Sequence, residues 1–474
     1  MAGGVDDGTT YTKKTAFIYI FNLVVGVGAL ALPSGFKQAG LFLGTIFLAF
    51  VGFIAFITTT YIIESSAASN YILKQERRKA NLLINGGHDV NGSVNEGEEN
   101  QGLLSQNYTD DFEIRQKTEV GQMAKLFLGD IGYKIFYGVL VIYLIGDLTI
   151  YSISVPTSLT NVFGGFGSIS DEKVYYFYLF LFACFVVPFS LFNFQKTKYL
   201  QIITLITRNL AFFMMIILSI IFISQGKGAK FEDLPKFDLT QLPTMFGVSI
   251  YAFMCHHSLP SIITPIEKKS KLYTLMSFDF VLIFIAYSTI CITSLFAFGS
   301  ITNPTCSANN IHTFIPCSIQ SLYIFNFTSY NVKFIAMFLG LFPVFTLSTN
   351  YILISITLRN NLMQLITWKK DSVRPFIRNV IFSLFSSFTP ICVAFITKNV
   401  DMMVSITGSY AGLGIMFLMP VAISFFSNRK LAREYSIENS RKSKFSNNFF
   451  YILIIVISVA SLVLASINLY LKNK

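Results

Sequence analysis

The chain has 474 residues, 53% of them hydrophobic and 13% charged, with a formal net charge of +11 and a mean hydropathy of +0.58. Soluble domains carry about a quarter charged residues, so this composition excludes a soluble multidomain protein. Runs of about 20 apolar residues, enough to cross a bilayer, recur along the chain. The basic excess gathers in alternate loops, which marks those loops as cytosolic, so no nucleic-acid partner is needed to explain it.

The pattern predicts an all-α polytopic membrane protein with about 11 transmembrane helices, near 15–35, 40–64, 133–163, 174–194, 199–224, 244–265, 275–299, 331–361, 376–397, 400–427 and 448–470. Residues 1–14, MAGGVDDGTTYTKK, are polar and cytosolic, with no mark of a cleaved leader. An odd number of spans then puts the C-terminal tail, within 448–474, on the opposite face.

The first span contains NLVVGVGALALPSG, from Asn22 to Gly35. Glycine inside a helix costs about 1 kcal/mol and proline about 3, so the run predicts an interruption that is compensated by some other role. Spans one and two occupy 15–64. The insert 65–132 follows and reads as a mostly disordered cytosolic loop, rich in Gly, Asn, Ser and acids. Its end, EVGQMAKLFLGDIGYKIF, reads as an amphipathic segment lying along the inner surface. Within the insert, ENQGLL places Glu99 four positions before Leu103 and Leu104, a spacing that cytosolic sorting adaptors read. Chance occurrence in a long polar loop is the competing explanation.

Spans three to five occupy 133–224. The second half, 244–427, holds spans six to ten, and the sixth carries a second interruption, MCHHSLPSIITP, with Pro260 and Pro265. Cys306 and Cys317 lie in the non-cytosolic loop 300–330, where disulfides persist, and are expected to pair. Asn326, in NFT on the same side, is a glycosylation acceptor. The other four cysteines lie in spans and read as small apolar packing.

Spans one and six enter from opposite sides, each as the first of five. Interrupted helices at corresponding positions of two inverted halves point to a transporter site near the midplane. Unwound backbone there offers free N–H and C=O groups to a ligand. Close helix packing by Gly26 and Gly28 is the plainer alternative.

The runs FNLVVGVGALALPSGFKQAG and YAFMCHHSLPSIITP resemble the first and sixth helices of the amino acid/auxin permease family. TTTYIIESSAASN, YLIGDLTIYSISVP, QKTKYLQI, GLFPVFTLSTN, TLRNN and ITGSYAGLGI are more closely similar to the transmembrane protein 104 family. The resemblance covers nearly the whole chain except the insert and the ends. It implies an inverted five-plus-five repeat with broken helices 1 and 6 plus an eleventh helix, carrying a small-molecule substrate, an amino acid. The site would involve Val25, Gly26, Val27, Gly28 and Ala29 of the first break and Phe253, Cys255 and His256 of the second. His256 matches the family's histidine position, and Asn22 matches an asparagine of the ion site in sodium-coupled relatives.

Asp147 in span three and Arg208 in span five need partners or a task, because an unpaired charge in a bilayer costs several kcal/mol. They read as members of an ion or proton relay, as a buried structural pair, or with one of them reaching an aqueous vestibule. In span eight, Thr346 and Thr349 supply hydroxyls suited to a hard cation, whereas Asn350 departs from a sodium-site run; either H+ or Na+ therefore stands as coupling ion. Glu64 and Asp279, near span ends, read as interfacial.

Two functions follow: a secondary active amino acid transporter, or a non-transporting sensor that signals through the cytosolic insert. An enzyme is disfavoured, since no Gly-x-Gly-Asp, zinc-ligand or Ser-His constellation occurs. No cofactor or metal is expected. The compartment implied is endosomal, lysosomal or plasma membrane.

Overall fold

The structure is a computed structural model and describes residues 10–85, 111–164, 170–191, 198–299, 319–328, 330–366 and 375–472. The helices in chain order are α1 (Lys13–Val24), α2 (Val27–Ala39), α3 (Leu41–Asn85), α4 (Val120–Phe163), α5 (Asp171–Leu191), α6 (Lys198–Ser224), α7 (Leu242–Ala252) and α8 (Leu259–Ile263). They continue with α9 (Leu272–Phe298), α10 (Lys333–Leu365), α11 (Pro375–Ile396), α12 (Val400–Tyr435) and α13 (Asn448–Lys472). Among the described residues nine helices are long and apolar enough to cross a membrane, and α1 with α2 makes a tenth span bent by 52°. The expected sixth span is the pair α7 and α8, whose halves are each too short to cross alone.

Local chemistry explains both interruptions. α1 starts at Thr12, whose hydroxyl accepts from the amide of Thr15, and stops at Val25, where the backbone turns extended. Gly26 then opens α2 with no side-chain cap. In the sixth span Pro260 lies in the first turn of α8, where a missing N–H costs nothing because that amide has no helical partner. The proline therefore starts a helix here and does not kink one.

Two other elements depart from simple spans. α3 runs for 45 residues, about 68 Å, well beyond a hydrocarbon core of about 30 Å. It carries the helix through Ser65–Asn85, where a loop was expected, because Glu64, Ser65, Ser66, Ser69 and Asn70 give it a buried polar face. In α4 the backbone leaves helical geometry at Gly129 (φ 72°), a left-handed conformation that glycine adopts freely. Val120–Leu128 thus forms a separate short helix, and the span proper follows.

α4 is the central post, with α5, α10, α11 and α12 packed along it. Outward-facing apolar side chains such as Phe213, Phe334 and Ile131 are 65%, 78% and 75% exposed, as a lipid-facing surface requires. α7 meets α12 at bare backbone: a Cβ on Gly408 would collide with the Gly247 carbonyl oxygen. That contact closes the bundle on the side where α2 ends. A polar cleft of about 460 Å³ lies beside it, lined by Gln38, Thr244, Asp401, Ser409 and Asn468 among others.

At the other end, Tyr11 pairs with the loop after α8. Its N–H donates to the Pro265 carbonyl (3.0 Å) and its carbonyl accepts from the Glu267 amide (3.1 Å). The last residues of the insert dock nearby. Asn70 Oδ1 accepts from the amides of Arg115 and Gln116 (3.0 and 2.8 Å), and Phe112 stacks on Tyr71 with centroids 4.7 Å apart. Lys269, which donates to the Ile266 carbonyl, has its ammonium pKa lowered by burial, opposed by the Glu113 carboxylate. The positions read as a sorting signal (Glu99, Leu103, Leu104) and a disulfide (Cys306, Cys317) lie outside the described residues.

Candidate substrate site between the broken helices

The two interruptions face one another. An added Cβ on Gly28 would stand 2.5 Å from Ala252 Cα, so α2 and α7 touch through backbone. Tyr287 of α9 fastens the same place from the side: its hydroxyl lies 3.0 Å from the Val24 carbonyl and 2.9 Å from the Ala252 carbonyl and shares its proton between them. One side chain therefore holds the last carbonyl of α1 and the last carbonyl of α7. Replacing Tyr287 by Phe leaves two carbonyls without that donor. Unmet buried acceptors cost about 1–3 kcal/mol, so initial uptake should fall roughly five- to a hundredfold, with the variant still reaching the membrane.

A belt of polar side chains surrounds the contact. Asp147, 2% exposed on α4, accepts at Oδ1 from the Tyr251 hydroxyl of α7 (2.5 Å). Tyr143 stands against both Tyr251 and His257, with centroids 6.4 and 5.7 Å apart. Tyr151 interacts with Asp147 on one side and with Arg208 of α6 on the other. The Arg208 Nη2 group donates to the Asn22 carbonyl (2.7 Å) and to its Oδ1 (3.2 Å), and Asn209 Nδ2 adds a further bond to that Oδ1 (3.1 Å).

Asp147 and Arg208 do not form an ion pair among the described residues. The acid is held by a tyrosine and the guanidinium by asparagine oxygens, with Tyr151 between them. This separation replaces the buried-pair alternative.

The remaining candidates divide. Val25 and Ala29 are buried at the first break, with the Val25 amide donating to Phe21 (2.9 Å) and the Ala29 amide to Gly26 (3.2 Å). Val27 is half-buried beside them. A Cβ on Gly26 would meet only the Val24 carbonyl oxygen, at 3.9 Å. Phe253 is buried, stacks on Phe280 and meets Tyr287 edge to face. His256 points to α3, with Nε2 at 2.8 Å from Thr58 Oγ1 and 3.2 Å from the Ala55 carbonyl. Thr58 in turn donates to backbone carbonyls, so the ring is an Nε2–H donor that pins the interrupted sixth span to α3. Cys255 bonds Thr59 of the same helix. In span eight Thr349 donates to the Phe345 carbonyl (2.8 Å) of its own helix, and Thr346 Oγ1 is buried without a partner. Asn326 is 1% exposed, and its Oδ1 accepts from the Gln320 amide.

Glu64 and Asp279 are not interfacial; both are 0% exposed. Glu64 takes hydrogen bonds from Asn428 (2.7 Å), Ser446 (3.0 Å) and Ser424 (3.1 Å), which ties α3 to α12 and to the segment before α13. Tyr251 and Tyr287 escaped the sequence reading. Tyrosine among apolar residues gives no signal of which way its hydroxyl turns.

A multi-pass bundle with two interrupted helices packed face to face inside a polar belt is the architecture of a membrane transporter. The family profile of the transmembrane amino acid transporter proteins matches residues 9–81 and 102–471. The chain belongs to that family and, within it, to the transmembrane protein 104 family. It is 60% identical to the transmembrane protein 104 homolog of Dictyostelium discoideum over the full length of both chains. Transmembrane protein 104 of Gallus gallus is 34% identical over 100% of this chain and 99% of its own, and that of Homo sapiens 33% over the same shares. Among solved structures, a manganese transporter of Eremococcus coleocola is similar over 98% of both chains at 10% identity and a TM-score of 0.48.

Proposed function

We propose that the chain is a secondary active transporter that carries an amino acid in symport with protons. The observation that carries this reading is the backbone contact of Gly28 with Ala252 under the shared Tyr287 hydroxyl. A substrate carboxylate would meet the uncapped first turn of α2 at Val27 and Gly28, where free amides and the positive end of the helix dipole favour an anion. Its ammonium would meet carbonyls freed beyond Ala252, with Asp147 behind Tyr251.

Protons are favoured over sodium by Arg208. The oxygens of Asn22 that a hard cation would need already accept from a guanidinium and an amide, and a second cation beside Arg208 would be repelled. Uptake of a panel of labelled amino acids into proteoliposomes tests the reading. An inward proton gradient alone should drive accumulation, and an inward sodium gradient alone should not.

A second reading, a sensor signalling through the insert, is favoured by one observation. The end of the insert docks on Asn70, and the charge of its Glu113 acts on Lys269 in the loop that follows the sixth span. Saturable amino acid binding with no flux in the same liposomes would select it. The N-terminus is cytosolic in this reading, in an endosomal, lysosomal or plasma membrane.

A further inference from the structure

We propose that Asp279 is a proton-bearing site on α9 that loads and unloads as the sixth-span break closes and opens toward the cytosol. This rests on the proton-coupled reading above. Asp279 sits about two turns into α9 from its cytosolic start. It is fully buried, and neither carboxyl oxygen has a hydrogen-bond partner. The next residue, Phe280, stacks on Phe253 of the break (6.2 Å, 10°) and packs on Phe56 of α3 (6.0 Å). Asp279 itself lies within electrostatic reach of the Cys255 thiol.

No other titratable group acts on it among the described residues. Thr59 of α3 bonds the thiol, the His256 ring is turned to Thr58 and Ala55, and Glu64 is held in its own cluster further along α3. An ionised carboxylate with no donor inside a bilayer is strongly disfavoured and takes up a proton instead. A metal cation would need several further oxygens, and none is bonded to or shared with this carboxyl. The ligand is therefore H+.

The step is a plain transfer: the carboxylic acid gives its proton to cytosolic water when the break opens, becoming carboxylate, and is protonated again by water from the opposite face once the break has closed. α8 has five residues, short enough to move as one piece. Once water reaches Cys255 it reaches Asp279. Burying a charged Asp279 is disfavoured, so the protonated form is the one that crosses with solute.

Dicyclohexylcarbodiimide, which adds to protonated carboxyls in apolar surroundings, gives a test independent of any substrate. Peptide mapping of the full-length protein in liposomes at neutral pH should show the Asp279 adduct, decreasing in alkaline medium and missing from Asp279→Asn. In the uptake assay a gradient of one pH unit supports about tenfold accumulation for one proton per solute. Asp279→Asn should lower that ratio to about one while exchange of labelled for unlabelled solute continues. An unmodified Asp279 at neutral pH overturns the proposal, as does undiminished proton-driven accumulation in Asp279→Asn. If the wild-type protein moves none of the amino acids, the transport reading falls and the adduct still decides the proton site.

Discussion

Gly28→Val should abolish uptake, to below about one hundredth of wild type, while Gly26→Ala should stay within about twofold. The sequence offers no reason to separate the two glycines, which share one motif. The structure separates them by what a side chain would meet: Ala252 backbone at 2.5 Å for Gly28 and nothing nearer than 3.9 Å for Gly26. Overfilling a packed contact costs about 1–3 kcal/mol even where neighbouring side chains can yield, and backbone yields less. The valine would push α2 off α7 and pull both carbonyls away from Tyr287, so the site loses its floor and its clasp together. Initial rates in liposomes, normalised to folded protein by gel filtration, decide it. A Gly28→Val protein that transports at the normal rate would detach the site from this contact.

Arg208 is the second position of large effect. Its guanidinium satisfies a backbone carbonyl and an amide oxygen of α1 at once, and hydrogen bonds from a charged donor are worth about 1.5–3 kcal/mol. Arg208→Ala should cost about a hundredfold in uptake, because it frees the Asn22 oxygens and leaves Tyr151 without its cationic neighbour. Arg208→Lys keeps the charge but not the planar fork, and should recover less than a tenth of the loss. Guanidinium ion added to Arg208→Ala should restore part of the activity, whereas sodium at equal concentration should not. Rescue by sodium would instead assign these oxygens to a metal cation and reverse the choice of coupling ion.

Much of this architecture could be read from spacing alone. Apolar runs of the right length locate the spans, and the clustering of glycine and proline in two of them marks the interruptions, since these residues are expensive anywhere else in a helix. What spacing does not carry is direction and distance. Asn22 and Arg208 are 186 positions apart, and nothing in either local run names the other. Tyr287 is one of 23 tyrosines, and its bridge exists only because α9 crosses behind both breaks. Adjacent helical residues point about 100° apart in a regular helix, and in this interrupted segment His256 faces α3 while His257 faces Tyr143 of α4. Glu64 and Asp279 were misplaced for a related reason. Apolar runs define where a helix enters lipid, but α3 continues as a helix into a polar face that the bundle covers, so a charge near the end of an apolar run is not thereby near water.

The pairing of Tyr11 with Pro265 and Glu267 has a mechanical consequence. Two backbone hydrogen bonds join the root of α1 to the end of α8, so the inner halves of the first and sixth spans are linked as if by a tie-rod. Neither can swing without drawing the other. The same loop carries Lys269, whose carbonyl accepts from Arg441 and whose ammonium feels the charge of Glu113 at the close of the insert. A pull on the insert or on the segment before α13 would thus arrive at both half-helices as one displacement, and this side of the bundle would open as a single leaf.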